Sequence, residues 1–234
     1  MLHDHDAGVA DTGNKVRRWI IYVAGIYILT LGLSLAIRAG IGISPQSSLT
    51  RTMTLVIPTL SQGNFNLVLE LIMLVLTYLV WPSAFKVGNL LSIVPALVLA
   101  LLLDFNLAAT RWLEIGPYPA KVVLLLFADA MLALGLFLMI RANLVLMPID
   151  LFVNTIQRKT GWKWGNIKTV FDCTLLALSA TIGLTLLGAP HFIREGTIIN
   201  AVLVGQYIKM YFYLYKKYTA RKAASPTIAD PIAE

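Results

Sequence analysis

The chain has 234 residues, of which 58% are hydrophobic and only 13% charged, with a formal net charge of +7. A soluble domain carries roughly a quarter charged residues, so this composition, with a mean hydropathy of +0.75, excludes an ordinary soluble enzyme. Nucleic acid is excluded as a partner because Lys and Arg sit in short loops and tails beside apolar runs, with no basic face interleaved with aromatics.

Residues 1–16 are polar and mixed in charge and read as a cytoplasmic tail; "HDHD" at 3–6 is a mobile polar stretch rather than a metal site. From Trp19 to Ile37 no residue is charged. With no clear small-residue cleavage site after it, this run is a retained membrane span and not a secretory signal. Further long apolar runs follow at about 65–82, 89–107, 120–140, 167–187 and 197–215. Each matches the ~30 Å hydrocarbon core at about 1.5 Å of rise per residue. Shorter pieces at about 45–60 and 148–160 begin at Pro45 and Pro148, a residue suited to the first turn of a helix. They carry polar and basic residues, including Arg51 and Arg158, and read as half-helices. Cys173 lies inside an apolar run, where a buried small residue is expected. The chain ends in a polar segment, "ASPTIADPIAE", within an expected cytoplasmic tail at 217–234.

The expected fold is therefore an all-α polytopic membrane protein with six long transmembrane helices and two short half-helices. It also carries an internal repeat. "LGLSLAIRAGIGISP" aligns with "LGLFLMIRANLVLMP", pairing Gly32 with Gly135, Arg38 with Arg141 and Pro45 with Pro148. "GNFNLVLE" aligns with "GNIKTVFD", pairing Gly63 with Gly165 and Glu70 with Asp172; "GNLLS" at Gly88 matches "GTIIN" at Gly196 more weakly. The repeats span 17–115 and 116–216. Lys and Arg flanking both ends place both termini in the cytoplasm. If only the long spans cross, each repeat has three crossings and the halves are inverted. If the short pieces also cross, there are eight crossings and the halves are parallel, four and four. The positive-inside rule does not separate these arrangements; the shortness and polarity of 45–60 and 148–160 favour the first.

Ionisable groups at membrane depth cost at least about 2.5–3.5 kcal/mol on insertion scales, so they mark candidate sites. Asp129, near the middle of the fourth long span, is the foremost: either a proton, cation or substrate contact, or a hydrogen bond between helices. Glu70 and Asp172 are read as lying about one turn inside their helices, where the helix dipole favours a carboxylate. Arg38 and Arg141 are read as interfacial anchors, or as partners of Glu70 and Asp172 in two opposing gates. The interrupted phrases expose backbone at Ser44 and Pro45, and at Asn143, Pro148 and Asp150, a pattern that points to a transporter's substrate site.

"PIDLFVNTIQRKTGWKWGNIKTVFD" followed by "GTIINAVLVGQ" resembles the YczE/YyaS/YitT group of bacterial integral membrane proteins, most strongly over 134–206. The resemblance rests on Pro148 and Asp150, Arg158 to Gly161, Asp172, and Gly196 with Thr197. The first phrase departs from it, reading Pro45-Gln46-Ser47 without an aspartate, and Gly205-Gln206 stands where glycine–proline often appears. The resemblance implies a membrane architecture and, from that architecture, transport.

No nucleotide-binding loop or paired-histidine metal helix is present, and neither enzymatic activity nor a cofactor is expected. The leading expectation is a secondary transporter or permease for a small polar or ionic solute, with a cavity between the repeats. Its partners are the lipid bilayer, that solute and a second copy in a homodimer. The alternative is a membrane-embedded scaffold or accessory partner of an enzyme or export complex.

Overall fold

The computed structural model describes residues 14–224, with side chains to Arg221. The "HDHD" stretch and residues 225–234 lie outside that range. Eight α-helices follow one another: α1 Lys15–Ala39, α2 Pro45–Val56, α3 Gln62–Val80, α4 Ile93–Ala109, α5 Tyr118–Ala142, α6 Pro148–Thr160, α7 Trp164–Leu186 and α8 Glu195–Ala224. Short 3₁₀ turns, Pro82–Ala84 and Val87–Ser92, lead into α4. The described residues are all-helical apart from turns and loops.

Five stretches are long and apolar enough to cross a membrane: α1, α3, Val87–Ala109, α5 and α7. The expected sixth, 197–215, is helical as part of α8 but is not among them. Asn200, Gln206 and Lys209 interrupt its apolar run. The helix also continues through Lys217 to Ala224, so the expected boundary of the C-terminal tail is not a helix end.

The breaks that flank the half-helices are built alike. α1 ends on Gly40 at φ 67° and α5 ends on Asn143 at φ 45°, both left-handed caps at equivalent places in the repeated phrase. Pro45 and Pro148 then open α2 and α6 as their first residues, and Ser44 caps α2 by accepting from the Ser47 N–H.

α1 and α5 form the central pair, and they run antiparallel. Gly25 lies against Gly135 and Met139, while Gly32 lies against Ala128 and Leu132. At the far end, Arg18 donates through Nε to the Ala142 carbonyl at 2.9 Å and through Nη2 to that of Asn143. The glycines make this approach possible: a Cβ on Gly135 would stand 2.5 Å from the Leu29 nitrogen.

Each member of the pair carries a companion. α4 lies along α1, with Leu99 in one apolar cluster with Tyr22 and Ile26, and with Asn106 Nδ2 donating to Thr30 Oγ1 at 2.9 Å. α8 lies along α5 in the same direction: Gly196 meets Leu125, Asn200 meets Asp129, Phe212 meets Phe137 and Tyr215 meets Arg141.

The half-helices sit between α3 and α7. α6 runs parallel to α3, from Ile149 beside Glu70 to Lys159, whose Nζ donates to the Val80 carbonyl at 2.6 Å. α2 is joined to α7 by a buried contact of 2.9 Å between Thr52 Oγ1 and Ser179 Oγ. An apolar cluster of Leu69, Met73, Ile149, Phe171 and Leu175 fills the space between α3, α6 and α7.

Cys173 is exposed, contrary to the expected burial. It lies on a face of α7 that no other helix covers. Only 17% of the residues in the most apolar window of α7 are buried, against 39% to 50% in the other four candidate spans.

Candidate functional site

Glu70 is the ninth of the nineteen residues of α3, about two turns from its start, and not one turn as its sequence suggests. Asp172 stands equally deep in α7. The favourable helix N-terminus near Glu70 therefore belongs to another helix. Its Oε2 accepts the backbone N–H of Ile149, the second residue of α6, at 3.0 Å. Its Oε1 accepts from Gln46 Nε2, on the second residue of α2, at 3.3 Å. The first turns of both half-helices thus meet one carboxylate that is 2% exposed. The positive end of α6 and a hydrogen-bonded amide stabilise a group whose isolated burial would be prohibitive.

The surroundings extend this polar centre. Gln46 Nε2 also donates to Asn66 Oδ1 at 2.9 Å, and Gln62 Nε2 donates to Thr50 Oγ1 at 2.7 Å. Gln62, Asn66 and Glu70 recur every four residues and so line one face of α3. Asn66 Nδ2 and Gln62 Oε1 are buried and have no hydrogen-bond partner among the described residues. Asp150, in the first turn of α6, is a charged neighbour of Glu70, as is Lys168 from α7. Lys168 pairs with Asp172 one turn along its own helix at 2.6 Å. The Tyr22 hydroxyl reaches in from α1 and donates to the Val145 carbonyl at 2.7 Å in the second break.

Below this centre, α6 presents a second polar row of Asp150, Asn154 and Arg158 at four-residue steps. A groove of about 480 Å³ runs along this helix, lined by Leu151, Asn154, Thr155, Arg158 and Trp162 among others. The equivalent helix α2 has no such freedom: Ser47, Ser48, Thr50 and Thr52 are all buried.

The remaining expected site residues lie elsewhere. Asp129 is wholly buried between α5 and α8, and its Oδ1 accepts from Asn200 Nδ2 at 2.6 Å. Arg38 donates through Nη2 to the Leu107 carbonyl at 2.6 Å, at the C-terminal end of α4. Arg141 stacks over the Tyr215 ring of α8, 4.4 Å from its centroid. Arg38 therefore ties α1 to α4, and Arg141 ties α5 to α8. Arg38 forms no ion pair with Glu70, and Asp172 takes Lys168, so the arginine–carboxylate gates are not formed in this structure. The backbone of the first break is already engaged, since the Ile41 carbonyl accepts the Gly196 N–H at 2.8 Å.

Gln46, Gln62, Asn66, Tyr22 and Lys168 escaped the sequence reading. The four-residue step of Gln62, Asn66 and Glu70 was the available signal. Gln46 gave none, because its place opposite α3 depends on how the break turns the chain.

Residues 16–213 match the family of unknown function DUF6198. The chain belongs to this family. It is also 28% identical over 225 residues to the uncharacterized membrane protein YczE of Bacillus subtilis (strain 168), a match covering 91% of this chain and 97% of the relative. No solved structure matches the chain. The resemblance to the YczE group, expected over most of the chain, is borne out, and this DUF6198 protein is a multi-pass helical membrane protein.

The Asp129–Asn200 contact has a simple consequence. Asp129→Asn keeps an oxygen acceptor for Asn200 and is expected to hold stability to within about 1 kcal/mol, whereas Asp129→Ala leaves a buried amide unpaired and costs about 1–3 kcal/mol. Unfolding of the purified variants in mixed micelles with increasing SDS distinguishes the two.

Proposed function

We propose that this protein is a secondary transporter or permease for a small polar or ionic solute, built from two inverted repeats, with its solute site at Glu70. The observation that carries this reading is the meeting of the α2 and α6 first turns on one buried carboxylate halfway along a candidate span. Interrupted helices at corresponding places in two repeats are how many transporters hold a solute at mid-depth.

The packing supports inversion. α1 and α5 occupy equivalent places in the two repeats and run antiparallel, as an axis in the membrane plane requires. α8 follows α5 from Leu125 to Arg141, so it crosses wherever α5 does. Its least apolar inward residue, Asn200, is satisfied by Asp129. Six helices then cross, α2 and α6 re-enter without crossing, and both termini face the cytoplasm of a bacterial inner membrane. The groove along α6 opens on the cytoplasmic side, beside Arg158, Lys159 and Lys163.

A scaffold role is the second reading, favoured by the structural use made of Asp129, Arg38 and Arg141. Uptake by proteoliposomes across a panel of small polar metabolites separates the two. Wild type and Asp129→Asn are expected to accumulate a solute that Glu70→Gln accumulates about tenfold more slowly, the equivalent of about 1.4 kcal/mol. Uptake in Glu70→Gln equal to wild type removes Glu70 from the site. An absence of uptake for every solute favours the scaffold.

A further inference from the structure

The two repeats pack differently, and the difference falls along one boundary. In the first repeat α3 is sewn to α4: Asp104 accepts from the Gly63 N–H at 2.7 Å and from Ser61 Oγ at 2.5 Å. Gly63 lets the Ala100 carbonyl come so close that any Cβ would overlap it. In the second repeat the equivalent residue, Gly165, has open space where its Cβ would stand, and α7 makes no comparable contact with α8.

The uncovered face of α7 is nevertheless built for a helix. Gly165, Thr169, Cys173, Ala177, Thr181 and Thr185 follow at four-residue steps, and every one is exposed. Small residues in such a row let two membrane helices approach closely. The Thr169, Thr181 and Thr185 hydroxyls donate to carbonyls four residues back in α7, so packing over them strands no donor. α8 likewise exposes Ala201 and Gly205, and a Cβ at Gly205 also meets open space. The short helices are also unequal: the polar row on α2 is enclosed, whereas a groove runs along α6.

We propose that the chain has a second conformation in which α7 closes onto α8 while α3 parts from α4, the two repeats exchanging their packing. This rests on the inverted-repeat reading above. The exchange gives the second repeat the tight seam of the first and the first repeat the open seam of the second, on either side of the buried Glu70. Inverted repeats supply two packings of one design, which is the physical basis of alternating access.

Cysteine cross-linking in native membranes tests this, in a Cys173→Ser background. Ser61→Cys with Asp104→Cys reports the closed α3–α4 seam. Gly165→Cys with Ile208→Cys reports the equivalent α7–α8 seam, where the described structure leaves room for the new side chain. Both pairs are expected to cross-link within one chain under mild oxidation. Closure of the first pair while the second never closes overturns the proposal. So does a Gly165–Ile208 product found only at twice the mass of the chain, which assigns the open face of α7 to a second copy. Spin labels at Gly165 and Ile208 read the same quantity as a distance: two populations support the exchange, and a single separated one overturns it. No solute is needed in either experiment, so a failure of uptake bears on the transport reading alone.

Discussion

Glu70→Ala is expected to destabilise the folded protein by about 2–4 kcal/mol, because it orphans two buried donors worth about 1–3 kcal/mol each. Those donors are the Ile149 N–H, which opens α6, and one N–H of the Gln46 amide, which opens α2 and keeps its other bond to Asn66. Removing a buried charge recovers some desolvation, but the helix end that the charge stabilised stays in place and unsatisfied. Glu70→Gln keeps an acceptor in the same position and replaces a charge-assisted bond with one about half as strong, so its cost is about 1 kcal/mol. SDS unfolding measures both. Hydrogen–deuterium exchange over residues 148–152 localises the effect, with the first turn of α6 exchanging fastest in the alanine variant. An alanine variant that unfolds with wild type and exchanges no faster contradicts the part assigned to Glu70.

The second large effect separates two glycines that the sequence makes equivalent. Gly63→Ala forces a methyl group into the Ala100 carbonyl, a backbone group of α4, and beside the Asp104 carboxylate. A cost of about 1–3 kcal/mol is expected for such overpacking, and more if the α3–α4 seam opens. Gly165→Ala meets open space. It is expected to leave stability unchanged or raise it by up to about 1 kcal/mol, since alanine is the better helix former. Thermal unfolding of the two purified variants gives the comparison. Equal losses at both positions contradict the unequal packing of α3 and α7.

The helices were legible because bilayer thickness imposes length and hydropathy together. α1, α3, α5 and α7 lie within a few residues of the runs read from composition. The half-helices announced themselves through Pro45 and Pro148, and the second ends at Thr160 as expected. α8 was harder to grade as a span, because Asn200 is polar in the sequence and satisfied only by Asp129 in the fold. The site was less legible for a related reason. A buried carboxylate is visible in a sequence, but its partners are not. Asp129 and Glu70 look alike in composition; one joins α5 to α8, and the other gathers the first turns of α2 and α6. Arg38 and Arg141, which share a phrase in the sequence, each reach a neighbouring helix in this structure, Arg38 the end of α4 and Arg141 the Tyr215 ring of α8. Cys173 misled because an apolar run in a membrane helix says nothing about which face meets protein and which meets lipid.

The inverted relation proposed for the two halves is open to one direct measurement. The loop after α2 and the loop after α6 are equivalent in the repeat, and inversion puts them on opposite faces of the membrane. In a Cys173→Ser background, Thr59→Cys and Lys163→Cys each place a thiol at an exposed position in one of these loops. A membrane-impermeant maleimide added to intact cells is expected to label Thr59→Cys at once, and Lys163→Cys only after permeabilisation. Labelling of both positions from the same side contradicts the inversion.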